Sequence, residues 1–168
     1  MNCELRLWRM EDAADLSKAL NNKKVLDNLR DGLPCPYTTE AAEDYISAML
    51  QGDPNKSFAF AIVVGGKVVG SIGVFRQENI HARTAELGYY VAESYWGQGV
   101  GTDAVGQICR YVFKETDIIR IFAEPFSYNK GSCRILEKNG FVFEGTLRKN
   151  AVKNGTVIDM NLYALIRE

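Results

Sequence analysis

Apolar and polar residues follow two different spacings along the chain, and each spacing predicts one kind of element. In residues 39–50 the apolar side chains recur at three- and four-residue steps, which places them on one face of a helix. The same spacing returns in residues 104–113. Residues 58–64 and 67–75 are instead nearly continuous apolar runs joined by a Gly-Gly turn, the pattern of a β-hairpin with largely buried strands.

The full pattern predicts a mixed order of helices and strands. Strands are predicted at residues 4–9, 58–64, 67–75, 85–92, 118–123 and 141–147, with a last strand over residues 158–166. Helices are predicted at residues 11–20, 39–50, 104–113 and 132–138. Residues 21–37 contain two prolines and few periodic apolar positions, and predict a loop with no more than a short helical turn. The order is an antiparallel meander followed by one strand–helix–strand crossover, and we expect a single domain over residues 1–168.

Composition and charge narrow the functional classes. The formal net charge of −1 gives no global attraction to nucleic acid or to an anionic membrane. The first residues mix charged and apolar side chains, unlike a signal peptide, and the longest apolar run, residues 58–64, is too short to span a bilayer. Four cysteines without CxxC spacing predict reduced thiols and no metal site. We therefore expect a cytoplasmic protein with no nucleic-acid, membrane or metal partner.

The stretch YWGQGVGT places three glycines at alternate positions where a strand passes into a helix. A nucleotide-triphosphate loop would need a lysine after the glycines, and a dinucleotide fingerprint would need its third glycine one residue later. Two interpretations remain. Converging backbone N–H groups at a helix N-terminus would bind a pyrophosphate, whereas a tight connection would need the glycines only for positive φ. The spacing alone leaves both open.

Two blocks carry a resemblance to a known family. The block ELGYYVAESYWGQGVGTDAV resembles the acetyl-coenzyme A motif of the GNAT superfamily, with Trp96 where glutamine or arginine is commonest. About thirty residues later, NKGSCRILEKNGF is similar to the NxxSxxxLEKxGF block of the RimJ/RimL type, the ribosomal-protein N-terminal acetyltransferases. The resemblance implies an α+β fold, a GNAT-like mixed and mostly antiparallel twisted sheet flanked by about four helices.

The family moves an acetyl group from acetyl-CoA directly to a primary amine, and the resemblance implies which residues bind acetyl-CoA. The backbone amides of residues 98–102 would hold the pyrophosphate, residues 89–91 would pair with the pantetheine arm, and a backbone N–H near Tyr90 or Val91 would stabilise the oxyanion. Asn129 would bond the pantetheine or only cap a helix. The implied cofactor-binding positions are Tyr89, Tyr90, Val91, Gln98, Gly99, Val100, Gly101, Thr102 and Asn129.

Two catalytic residues follow from the same resemblance. Glu86 occupies the strand position of a general base that takes the proton of the amine, usually through water. Its alternative role is that of a salt-bridged strand carboxylate, which is also our expectation for Glu124. Many relatives protonate the departing thiolate with a tyrosine that is Leu136 here. Ser132 is therefore the candidate acid, and its hydroxyl would equally suit a helix cap.

The acceptor is the least defined partner. The resemblance implies a protein N-terminus, ribosomal or other, or a small primary amine, bound over residues 21–37 and 148–156. Asp27, Asp31 and Tyr37 are the predicted acceptor contacts. A rival hypothesis is a non-catalytic module that binds or senses acyl-CoA, suggested by Leu136. Either a monomer or a homodimer is compatible with the sequence.

Overall fold

The structure, a computed structural model, describes residues 1–168 as one seven-stranded sheet with five helices. The strands are β1 (Glu4–Arg6), β2 (Ser57–Val64), β3 (Lys67–Arg76), β4 (Thr84–Val91), β5 (Arg120–Ala123), β6 (Val142–Lys153) and β7 (Thr156–Ile166). The helices are α1 (Ala13–Leu20), α2 (Lys23–Leu26), α3 (Thr39–Gln51), α4 (Val100–Glu115) and α5 (Lys130–Lys138). Short 3-10 turns lie at Met10–Asp12, Asn79–His81 and Glu93–Tyr95. None of the helices is long and apolar enough to cross a membrane.

The sheet has the order β1-β2-β3-β4-β5-β7-β6. All neighbouring strands are antiparallel except β4 and β5, which are parallel and joined by the crossover through α4. This confirms the predicted mixed, mostly antiparallel class. The structure has one helix more than the four predicted. This helix, α2, lies in the segment predicted as a loop with no more than a short helical turn, and Asn22 caps it by accepting a hydrogen bond from the Lys24 amide.

Helices cover both faces of the sheet. On one face, the apolar stripes of α4 and α5 pack with β4 residues such as Ala85, Leu87 and Val91 in the larger core. On the other face, α1, α2 and α3 enclose a smaller core around Leu16 and Ile46. Because side chains alternate along a strand, β4 contributes to both layers. The sheet is therefore the middle layer of three.

The sheet opens between β4 and β5. The two strands pair only from Thr84↔Arg120 to Glu86↔Phe122, whereas β4 stays paired with β3 as far as Val91. The second half of β4 thus has one edge that no strand covers. The resulting wedge, which we call the fork, connects the two faces of the sheet at its middle.

Candidate active site

A cavity of about 640 Å³ lies in the fork. It is lined by residues 89–91 of β4, the glycine loop and first turn of α4, eight residues of the segment 128–138 around α5, and three residues from α2 and the segment after it. Its size falls in the range of pockets that hold cofactor-sized ligands, roughly 300–1,000 Å³. The walls of the cavity therefore come from both helical layers, the one with α4 and α5 and the one with α2.

The three glycines of the loop have two different functions. Gly97 and Gly99 have φ of +71° and +83°, a backbone conformation that residues with a Cβ rarely adopt. A Cβ on Gly101 would instead lie 2.8 Å from Cδ1 of Ile135, so this glycine lets α4 approach α5 closely. The turn interpretation is therefore correct for the first two glycines, and it is compatible with an anion site.

The N-terminus of α4 has the groups that bind an anion. Gly99 is the N-cap residue, and no side chain caps the helix. The first helical hydrogen bond runs from Asp103 N to Gly99 O at 3.0 Å, so the amides of residues 100–102 have no partner within the helix. These amides and the helix dipole favour negative charge. Lys130, Arg134 and Lys138 line the same cavity. These amides and positive side chains fit a pyrophosphate and one further phosphate group beside it.

The open edge of β4 presents alternate backbone groups to the fork. Ala92 N donates to Val69 O at 2.7 Å, on the β3 side. Because backbone groups alternate along a strand, Tyr90 also faces β3, while Tyr89 and Val91 face the fork. The indole of Trp96 donates to Val91 O at 2.7 Å, which agrees with this direction. Of the two predicted oxyanion donors, Val91 is the one whose N–H points into the fork.

Ser132 lies at the start of α5 in contact with β4. Its backbone N donates to Oδ1 of Asn129 at 3.1 Å, so Asn129 is the N-cap of α5. The Ser132 hydroxyl is therefore not needed as the cap, and it lies 2.6 Å from the Tyr89 hydroxyl. Burial raises the pKa of Tyr89 well above its ordinary value, so the phenol stays protonated. Both residues line the cavity.

Glu86 lies at the point where β4 and β5 separate, on the face covered by α1, α2 and α3. Nη2 of Arg30 is 2.9 Å from Glu86 and 3.7 Å from Glu124, so one guanidinium serves two carboxylates. Burial and the negative charge of Glu86 raise the pKa of Glu124. Neither carboxylate lines the cavity, and a proton would have to reach them through water. The sequence had indicated Glu124 only as a fold-supporting residue, and it gave no signal for Arg30.

The predicted acceptor contacts are only partly compatible with the structure. Tyr37 is 3% exposed in the smaller core, where its backbone is bonded to Asn21, so its prediction as an acceptor contact is wrong. Asp27 and Asp31 form ion pairs with lysines of α2 and β6. The residues of this segment that do border the cavity are Val25, Asn28 and Leu29.

The sequence profile described as Acetyltransferase (GNAT) domain matches residues 2–142. The chain belongs to the GNAT acetyltransferase family. The "Probable N-acetyltransferase YjcK" of Bacillus subtilis (strain 168) is 32% identical over 77% of this chain and 74% of its own length. The ribosomal-protein-serine acetyltransferase of Escherichia coli (strain K12) is 31% identical over 64% of this chain, a match that spans 59% of that enzyme.

A solved structure shows the same fold. RimL, a ribosomal L7/L12 alpha-N-protein acetyltransferase in complex with coenzyme A, aligns with a TM-score of 0.88 at 23% identity, over 99% of this chain and 95% of RimL. Family membership confirms the acetyltransferase predicted from the two motif blocks, with acetyl-CoA as its acetyl donor. It also favours catalysis over the rival hypothesis of a non-catalytic module.

Proposed function

We propose that the chain acetylates the α-amino group of a peptide or protein N-terminus in the cytoplasm. The observation that carries the proposal is the fork, because its cavity runs from the anion-binding start of α4 to Asn28 and Leu29 on the opposite face. The next residue, Arg30, is the ion-pair partner of Glu86 and Glu124. The E. coli relative and RimL are acetyltransferases of ribosomal proteins by name, which supports a polypeptide acceptor. A small primary amine is the alternative acceptor that the experiment below tests.

Acetyl-CoA supplies an acetyl group activated as a thioester, and the chain binds and orients it. The amides of residues 98–102, with the Thr102 hydroxyl, would hold the pyrophosphate, and Lys130 and Arg134 would neutralise the further phosphate. The fork-facing backbone N–H and C=O of Tyr89 would pair with the pantetheine arm, as an added strand would, and the Val91 N–H stays available for the acetyl oxygen. The Asn129 side chain already accepts the Ser132 amide at 3.1 Å, and its NH₂ group is the part that can meet the arm.

The amine side of the reaction needs a proton acceptor, because an α-amino group near neutral pH is partly protonated. Glu86 and Glu124 attract the ammonium, and Glu86 takes its proton through water. The Val91 N–H stabilises the negative charge that develops on the acetyl oxygen. The Ser132 hydroxyl stabilises the charge on the departing sulfur. The acetyl group thus passes directly between sulfur and nitrogen.

The ion pair with Arg30 does not exclude Glu86 from this role. The Arg30 side chain is 63% exposed, and ion pairs at such sites contribute about 0–1 kcal/mol. A general base increases the rate by roughly 10²–10⁴-fold, and the free energy needed to break the ion pair is smaller than the barrier reduction that this factor represents. An incoming ammonium can also replace the guanidinium as the partner of both carboxylates.

The acceptor is tested with a panel of peptides that begin with serine, alanine or methionine, beside small amines. Coenzyme A release is followed with a thiol reagent, and the acetylated atom is located by mass spectrometry. We expect kcat/KM for the best peptide to exceed that for any small amine by at least about 100-fold, a discrimination that a few specific contacts provide. The same peptide with a blocked N-terminus is the control. Turnover on small amines alone would contradict the proposed acceptor.

A further inference from the structure

The short contact between Tyr89 and Ser132 joins β4 to α5, two of the elements that form the cavity wall. Tyr89 projects from β4 toward α5, and its hydroxyl lies 2.6 Å from Ser132 Oγ and 3.3 Å from the Ser132 carbonyl oxygen. A serine hydroxyl rotates freely and has one proton to donate. If that proton pointed at a backbone carbonyl, the hydroxyl would present only lone pairs to a departing thiolate. Something must therefore fix its direction.

Tyr89 is suited to fix that direction. A protonated phenol that donates to Ser132 Oγ occupies one lone pair of the serine oxygen, and the serine proton is then free to point elsewhere. Burial keeps the phenol protonated over the working pH range, because it raises the pKa of Tyr89. Two hydroxyls in series also polarise each other, which makes the terminal donor stronger. The residue that many relatives use near this point is Leu136 here, so no tyrosine of α5 competes for the sulfur.

We propose that Tyr89 is a positioning residue for acetyl transfer, whose hydroxyl donates to Ser132 Oγ and directs the Ser132 proton toward the coenzyme sulfur. The inference rests on the proposed function. When the carbon–sulfur bond breaks, its electron pair passes to sulfur, and the Ser132 proton stabilises that charge by a hydrogen bond. The ammonium first gives one proton to Glu86 through water, and the second nitrogen proton, which is lost as the amide forms, passes to solvent. Neither hydroxyl loses its proton, so the pair is unchanged after turnover.

The pair is tested by a double-mutant cycle of Tyr89→Phe and Ser132→Ala, with kcat measured at saturating acetyl-CoA and peptide. We expect Tyr89→Phe to lower kcat about 5- to 10-fold, the value of one neutral hydrogen bond, with little change in KM for acetyl-CoA. Ser132→Ala should lower kcat further. In the Ser132→Ala background, Tyr89→Phe should have no additional effect, because Tyr89 acts only through the serine.

A matched control exists in the other layer. The hydroxyls of Tyr45 and Ser71 lie 3.1 Å apart in a second tyrosine–serine pair, and neither of these two residues lines the cavity. Tyr45→Phe should leave kcat unchanged, whereas a general effect of losing a buried phenol hydroxyl would lower it as well. Wild-type kcat in Tyr89→Phe, or effects of the two substitutions that multiply, would overturn the inference. If the wild type acetylates no amine, the proposed function fails with it.

Discussion

Replacing Gly99 with valine should weaken coenzyme A binding about 10- to 100-fold, the contribution of one hydrogen bond to a charged group, about 1.5–3 kcal/mol. Gly99 has a φ of +83°, which a β-branched residue rarely adopts. The variant would relieve this strain by rotating the backbone, and the amides that follow would turn away from the cavity. Calorimetric titration of the folded variant with coenzyme A measures the loss.

The control for Gly99→Val is the same substitution at Gly65. Gly65 lies in the β2–β3 turn with a φ of +58°, and nothing lies within 4 Å of a Cβ placed there. Left-handed backbone costs a residue with a Cβ roughly 1–2 kcal/mol, so both variants should lose comparable stability in thermal unfolding. Only Gly99→Val should lose affinity for coenzyme A. Equal affinity in the two variants would mean that the glycine loop serves the turn alone.

Replacing Glu86 with glutamine should lower kcat/KM for the peptide acceptor about 100-fold, within the usual contribution of a general base. The deficit should be greatest below pH 8, because an α-amino group with a pKa of about 7.7–8.0 is protonated there and must lose its proton. Above that pH the difference from wild type should narrow. A pH–rate profile from pH 6 to pH 9.5 measures both effects.

Glu144→Gln is the control for this substitution. Glu144 is also a strand carboxylate in an ion pair with an arginine, Arg120, whose Nη2 is 2.6 Å away. It lies on β6, outside the cavity. We expect wild-type kinetics from Glu144→Gln. A Glu86→Gln profile that superimposes on wild type would remove Glu86 from the mechanism, and a loss seen only in Glu124→Gln would make Glu124 the base.

The sequence predicted the sheet and its helices because the spacing of apolar residues shows which side chains of a helix or strand are buried. The hairpin of β2 and β3 and the stripe of α4 are examples, since their residues are neighbours both in sequence and in space. The glycine loop was predicted as a site, but its spacing could not distinguish a turn from an anion nest. The φ values of Gly97 and Gly99 and the uncapped start of α4 show that one loop has the features of both.

The segment between α1 and α3 was harder to predict, because long-range contacts determine its structure. Arg30 meets Glu86 across 56 positions of sequence, and no periodicity marks such a pair. Tyr37 was predicted as an acceptor contact because the resemblance places the acceptor over residues 21–37, yet hydrogen bonds with Asn21 hold it in the core.

The contact between Tyr89 and Ser132 could be predicted from the sequence only in part. Strand alternation places Tyr89 on the same face as Leu87 and Val91, toward α4 and α5, and the sequence alone supports that step. The distance between the two hydroxyls depends on how α5 sits against the open edge of β4. That depends on packing at Gly101 and Ile135, which only the structure shows.

The central claim is that the start of α4 binds the pyrophosphate of coenzyme A while the fork holds its arm. Calorimetric titration with coenzyme A and, in parallel, with pantetheine tests it most directly, because pantetheine has the arm but lacks the pyrophosphate. We predict saturable binding of one coenzyme A per chain and far weaker binding of pantetheine. Equal affinity for the two compounds, or no binding of coenzyme A by the folded protein, would contradict the account.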